Sequence, residues 1–230
     1  MSVTAKPILP TEKRKALQKD PGILTLYGQS KVGKTYMLTQ LKDCLIIDTE
    51  GGTKTYDALT VEATNLNQLI EYLKELKKPE NKGMYKYIAI DTIDNVADWY
   101  EKYVAQTYGV RSIGDVPYGA GYGLHREKIM TFMKTLRTVC PRVILIGHRK
   151  RAIIGDTSIE VQVTSLDLMG KLKNLVSAES DAVGYAFRKD KDLWISFETS
   201  NELEVGSRCD HLSGKSFPFE WKTIYKDKLN

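Results

Sequence analysis

Eight residues, Gly28-Gln29-Ser30-Lys31-Val32-Gly33-Lys34-Thr35, are where residue type and spacing specify chemistry most narrowly in this chain. Gly28 and Gly33 let the backbone curl until successive N–H groups point inward at one place. A lysine and a hydroxyl follow directly, so the segment offers amide donors, an ammonium and a hard oxygen ligand. That set suits a polyphosphate: the amides and the start of the next helix cradle it, Lys34 reaches the β- and γ-phosphates, and Thr35 ligates Mg²⁺. Such a string arises by chance in on the order of 1% of chains of this length at average residue frequencies. Its setting, after an apolar strand and before a helix, is the one the motif requires. The expectation is a site for ATP and Mg²⁺ formed by Gly28 to Thr35 together with Tyr36.

Three further residues stand at the ends of apolar runs. Asp91 closes Tyr87-Ile88-Ala89-Ile90, the position at which open α/β sheets bind ligands, and can hold Mg²⁺ through its water shell. Glu50 follows Leu45-Ile46-Ile47, and hydrolysis needs a group that orients the attacking water. Position alone fits equally a capping or salt-bridged loop acid, either Asp48 or Glu50. His148 ends Val143-Ile144-Leu145-Ile146-Gly147, where it can sense a γ-phosphate or be an ordinary satisfied polar residue.

The elements that must carry these residues follow from periodicity. Ile23 to Tyr27 reads as a strand and Lys34 to Leu41 as a helix. Asn65 caps a helix with Leu66, Leu69, Ile70, Leu73 and Leu76 on one face. A helix carrying Val96, Trp99, Tyr100, Tyr103 and Val104 follows Asp91, and residues 108–123 read as a long loop. Leu124 to Thr138 is helical, Arg149 to Asp167 basic and irregular, and Leu168 to Val176 helical. Ala182 to Phe187 and Leu193 to Phe197 form a hairpin across the polar turn Arg188 to Asp192. Short apolar runs alternating with helices imply an α/β domain with a mostly parallel central sheet and an antiparallel C-terminal edge. Residues 1–20, with a helix-like stretch from Glu12 to Lys19, read as an arm, flexible or docked on a neighbouring subunit, before a single domain over 21–230.

Bulk composition narrows the rest. A net charge of +5 permits a polyanionic partner without demanding one. Cys44, Cys140 and Cys209 make no CxxC pair, which excludes a disulfide framework and a zinc site as expectations and suits a reducing interior. Residues 1–10 show no signal-like apolar stretch, and no run approaches the roughly 20 apolar residues that span a bilayer. A cytoplasmic protein without membrane contact is expected.

These residues, in this order, resemble the RecA-type recombinase core, especially the short phage-encoded RecA-related AAA-family ATPases that accompany single-strand annealing. Asp48-Thr49-Glu50 stands where that family carries its catalytic glutamate, and Tyr87 to Thr92 resembles its Walker B strand. His148 stands where the family has a sensor glutamine, and Gly170 to Asn174 and Ala182 to Phe187 resemble the segment beyond the second DNA loop. The likeness spans residues 22–222 and is dense only at the phosphate loop.

The resemblance implies roles that the residues alone do not. Glu50, Lys34 and His148 become catalytic, with Thr35 and Asp91 on the metal. Arg111, Tyr118 and Tyr122 fall in the first DNA loop and Arg149, Lys150 and Arg151 open the second, where cations meet phosphates and tyrosines stack on unpaired bases. A homo-oligomer, filament or ring, is implied, with Arg208 and Lys215 as candidates to act in trans on a neighbour's nucleotide. Single-stranded DNA is the implied partner and a single-strand-binding protein a further candidate. Other readings are a nucleotide-gated scaffold that acts on a protein partner without DNA and a small-molecule kinase, for which no Arg-rich lid segment is found.

Overall fold

The computed structural model describes residues 9–16, 18–154 and 161–226. The apolar runs become strands β1 (Ile23–Gly28), β2 (Cys44–Asp48), β3 (Thr60–Glu62) and β4 (Tyr87–Asp91). Every residue of β1, β2 and β4 is buried, because helices and the C-terminal segment cover both sheet faces. That double burial is why these strands read as continuous apolar runs rather than alternating ones.

Helix α1 (Lys34–Thr39) follows β1, and α2 (Leu66–Leu76) is capped by the Asn65 side chain, which accepts from Gln68 N–H. Next come α3 (Ile93–Thr107), α4 (Ala120–Val139), β5 (Val143–Ile154), β6 (Val161–Leu166) and α5 (Lys171–Glu179). The chain then forms β7 (Ala182–Lys189), β8 (Asp192–Ser196), β9 (Gly206–Ser207), β10 (Ser216–Pro218) and the short α6 (Trp221–Ile224).

The sheet order is β10-β8-β7-β1-β5-β4-β2-β3, parallel from β7 to β3 and antiparallel at the β8 and β10 edge. The expected α/β class, parallel sheet and C-terminal edge hairpin are present. One consequence positions the chemistry. Strand β5 lies between β1 and β4, with Gly28 opposite His148 and Asp91 opposite Ile146. The end of β5 therefore stands between the phosphate loop and the Asp91 carboxylate.

Several local expectations differ from the structure. Within Arg149 to Asp167, residues 155–160 lie outside the described residues, and the rest is not irregular: β5 continues through the basic residues to Ile154 and pairs antiparallel with β6, forming a two-stranded ribbon. Residues 108–123 are not one loop, since short 3₁₀ turns occupy Ile113–Asp115 and Pro117–Gly119 and α4 begins at Ala120. Gly121 sits where an added Cβ would lie 2.6 Å from the Ile113 carbonyl oxygen, so the turn packs directly on the helix start. Helix α1 ends at Thr39, and the described residues between Glu12 and Lys19 form no helix. Phe217 pairs with Ile195 of β8, and Trp221 opens α6 and donates from Nε1 to Met37 O at 2.7 Å.

At the amino-terminal edge of the strands a buried ion pair ties distant segments together. Arg142 donates to Asp20 Oδ2 at 3.0 Å and to the Tyr87 hydroxyl at 2.8 Å, and its guanidinium lies 4.8 Å from the Tyr225 ring centroid. The Lys226 N–H donates to Asp20 Oδ1 at 3.1 Å. Both charged side chains are under one-tenth exposed, so residues near either end of the domain are fastened to the start of β5.

All three cysteines are buried. Burial, with a smaller contribution from Cys140, pushes the Cys44 thiol up to about 12, which leaves it un-ionised and inert at neutral pH. Among the described residues, no helix is long and apolar enough to cross a membrane.

Candidate nucleotide site

The loop after β1 takes a left-handed backbone at Gly33, as its residue type allows, and also at Lys31, where no glycine stands. Lys31 has φ of 63° and Gly33 of 117°, positive values that fold the chain back on itself. A Cβ at Gly28 would stand 2.5 Å from the Ala186 carbonyl oxygen, so β7 presses too close for any side chain there. Lys34 is buried, and its ammonium donates to the Gly28 and Gln29 carbonyls at 3.2 and 3.0 Å. Burial lowers its pKa, while the carboxylates of Asp91, Asp94 and Glu50 pull the other way.

Across the loop, the Thr35 hydroxyl donates to Asp91 Oδ2 at 2.6 Å. The two expected metal residues, 56 positions apart in sequence, thus meet through oxygen atoms alone. Such a pair suits a hard divalent cation that keeps several of its waters, and Mg²⁺ fits it. Burial raises the Asp91 carboxyl from its ordinary 3.8 to about 6, with Glu50 and Asp48 adding to the rise and the Thr35 hydrogen bond and Lys34 opposing it.

The two acids after β2 have different settings. Asp48 is buried and accepts from the N–H groups of Glu50, Gly51, Gly52 and Thr53 and from the Thr53 hydroxyl, at 2.6–3.2 Å. Burial alone would raise its pKa, but these donors outweigh it and hold the carboxyl below its ordinary value. Asp48 is the capping acid. Its turn presents Glu50, whose Oε1 accepts from the Thr92 hydroxyl at 3.2 Å and lies 3.6 Å from His148 Nδ1.

His148 is held by a residue that sequence reasoning missed. Asp94, in the first turn of α3, accepts the His148 backbone N–H at 3.2 Å and lies 2.7 Å from Nδ1 through its other oxygen. With Nδ1 protonated, that bond fixes the ring and leaves Nε2 as the acceptor. An acid three residues beyond Asp91 was the available signal, but it reads first as an ordinary helix-start carboxylate.

One cleft of about 560 Å³ gathers Ser30, Lys31, Gly33, Lys34, Thr35, Tyr36, Glu50, Asp91 and His148. Thr55 and Tyr56 complete its wall, and the half-exposed Tyr36 and Tyr56 rings lie 6.0 Å apart. Tyr56 had no local signal; the turn built on Asp48 delivers it. Gly28, Gln29 and Val32 shape the loop without lining the cleft.

The remaining sequence candidates are dispersed. Arg149 turns toward the phosphate loop, donating to Gln29 Oε1 at 3.0 Å and to the Tyr185 hydroxyl at 3.1 Å. Lys150 pairs with Asp167 at 3.4 Å, and Arg151 is exposed. Tyr118 is fully exposed and Tyr122 half-exposed, whereas Arg111 shares a hollow with Asp98 and Glu101. Arg208, bonded to the Ala178 carbonyl and 3.7 Å from Asp181, lies beside the start of β7, far along that strand from the phosphate loop. Lys215 donates to the His211 carbonyl at 3.1 Å just before β10. Neither reaches the cleft of its own chain.

Because Asp91 is ionised at neutral pH against its buried setting, nucleotide-free stability depends on pH. The folded protein binds this proton more tightly than the unfolded chain, so stability falls as pH rises from about 4 through about 6. Asp91→Asn keeps an acceptor for Thr35 and removes the buried charge. The variant is expected to melt higher than wild type at pH 7 without nucleotide and to lose Mg²⁺-dependent nucleotide binding. Thermal denaturation with and without Mg²⁺-nucleotide checks both halves.

A family model described as AAA domain matches residues 21–213. The SPbeta prophage-derived uncharacterized protein YorG of Bacillus subtilis (strain 168) is 29% identical over 134 residues, 55% of this chain and 40% of that protein. The chain thus spans well under half of that relative. Among solved structures, the RadB recombinase is similar at a TM-score of 0.47 and 12% identity, covering 89% of this chain and 90% of that one. The KaiC-like protein PH0186 from the hyperthermophilic archaeon Pyrococcus horikoshii OT3 is similar at 0.44 and 12%, covering 89% and 88%.

Proposed function

Since this chain belongs to the AAA domain family, we propose that it is a Mg²⁺-dependent ATPase that binds single-stranded DNA and assists recombination or strand annealing as an oligomer. The observation that carries the catalytic part is the meeting of Thr35 with Asp91 at 2.6 Å, with Glu50, Lys34 and His148 lining the same cleft. The prophage origin in the relative's name supports a phage setting.

The chain's residues divide the work. The loop amides and the Lys34 ammonium bind and neutralise the phosphates, and Thr35 and Asp91 would hold the cation. Mg²⁺, when bound, screens the charge that builds on the phosphates during transfer. Glu50, set by the Asp48 turn and the Thr92 hydroxyl, accepts a proton from the attacking water and orients it. His148, fixed by Asp94, stands beside Glu50 and begins the basic part of β5, so the cleft and the ribbon share one strand. Tyr36 and Tyr56 offer ring faces at the cleft wall for the nucleobase.

For DNA, the ribbon supplies exposed cations, Lys150 and Arg151, and the 108–119 segment supplies the exposed Tyr118 ring. Affinity for an oligothymidine should fall steeply with salt, because each phosphate neutralised releases counterions. Lys150→Ala and Arg151→Ala should each weaken binding and flatten the plot of log affinity against log salt by about 0.7. Fluorescence anisotropy of labelled oligothymidine across a salt series reads the slope. A salt-independent or undetectable interaction with Mg²⁺-ATP present would discard the DNA reading in favour of a nucleotide-gated scaffold.

A further inference from the structure

Arg149 has a different setting from the two basic residues that follow it. It is half-buried, and its guanidinium is committed on two sides, to Gln29 Oε1 of the phosphate loop and to the Tyr185 hydroxyl of β7. Strand register explains the reach: Gly28 pairs with His148 on one side and with Ala186 on the other. Arg149 and Tyr185 therefore flank the point at which β1 becomes the phosphate loop. The same residue pairs with Leu166, so it is also the first rung of the ribbon.

A second tie joins the same two parts. The Tyr27 hydroxyl, from the residue before Gly28, donates to the Glu204 carbonyl at 2.8 Å and approaches the Thr164 carbonyl of β6 at 3.2 Å. Tyr27 and Tyr185 rings lie 5.4 Å apart, so the two tyrosines and the arginine form one packed group. A third contact steadies the loop from β7, where Arg188 Nε donates to the Val32 carbonyl at 3.1 Å.

We propose that Arg149 is a positioning residue that couples the phosphate loop to the β5–β6 ribbon, and not a nucleic-acid contact. Nucleotide filling the loop fixes Gln29; Gln29 fixes Arg149; and Arg149 sets the base of the ribbon on which Lys150 and Arg151 are carried. The route is separate from the one through Asp94 and His148, because it reaches the loop at Gln29 rather than through Glu50. It rests on the ATP-site reading but does not require that the ribbon bind DNA.

The test is backbone hydrogen exchange of the ribbon amides, residues 149–154 and 161–166, with and without Mg²⁺ and a non-hydrolysable ATP analogue. In wild type the analogue should slow ribbon exchange about 10-fold, within the range usual for coupling between sites. In Arg149→Ala most of that response should be lost while the slowing at residues 28–35 persists, and Arg149→Lys, with a single ammonium for two acceptors, should restore only part of it. Gln29→Ala should cut the ribbon response to the same extent, and adding it to Arg149→Ala should change nothing further. A ribbon that responds equally in wild type and Arg149→Ala overturns the proposal, as does a wild-type ribbon that ignores the analogue while residues 28–35 respond. No response at residues 28–35 in wild type would instead strike at the nucleotide site itself.

Discussion

Glu50→Gln is expected to lower ATP turnover by roughly 10²–10⁴-fold, the usual contribution of a positioned acid or base. Mg²⁺-ATP should still bind with near wild-type affinity. Glutamine keeps the size of the side chain and an oxygen to accept from the Thr92 hydroxyl, so the turn need not move. It cannot take a proton from water. The loss should therefore appear in kcat with little change in the nucleotide dissociation constant. Asp48→Asn is the contrasting variant: it weakens an acceptor that serves five donors, so it should unsettle the whole turn and depress stability and kcat together. Steady-state kinetics beside equilibrium binding of a fluorescent ATP analogue separates the two patterns. Equal loss of affinity and turnover in Glu50→Gln would make Glu50 a binding residue.

The second large effect is on stability. Arg142→Ala breaks the buried pair with Asp20, and breaking such a pair costs about 3–5 kcal/mol. It also takes the guanidinium from the faces of Tyr87 and Tyr225. For a domain of this size each kcal/mol shifts Tm by about 2–4 °C, so a drop on the order of 10 °C is expected. The candidate nucleotide cleft lies at the opposite edge of the sheet, and activity per folded molecule should survive at low temperature. Asp20→Ala should match it, and the double variant should cost less than the sum, since both single variants remove the same ion pair. Urea unfolding of the three variants checks this; strictly additive losses would contradict the pairing.

How much of this was legible in sequence depended on where each residue's environment comes from. Strands β1, β2 and β4 were legible because burial on both faces leaves nothing but apolar residues. The phosphate loop was legible because its backbone path requires glycine at fixed points. Extension of β5 through Arg149-Lys150-Arg151 was not, since the ribbon is held by pairing with β6 and its exposed cations show no apolar alternation. The start of α4 at Ala120 was hidden by Gly121 and Gly123, which read as loop residues. Only the packing of Gly121 on Ile113 explains one of them.

Within the site, the choice between Asp48 and Glu50 turned on the five donors that converge on Asp48, which no spacing rule reports. Asp94 and Arg149 make the same point from two sides. Asp94 stands where a helix-start acid would and holds His148; Arg149 was expected to open a DNA loop and is bonded instead to Gln29 and Tyr185. Both acquire their partners from strands brought together by the sheet order, and neighbouring sequence carries no trace of it.

The most direct measurement is phosphate release from ATP by the purified wild-type chain, in Mg²⁺ and in excess EDTA, with and without oligothymidine. The expected result is turnover that requires Mg²⁺ and rises with the oligonucleotide. Folded protein that binds Mg²⁺-ATP yet releases no phosphate in either condition would contradict the assignment of this cleft as a hydrolytic site.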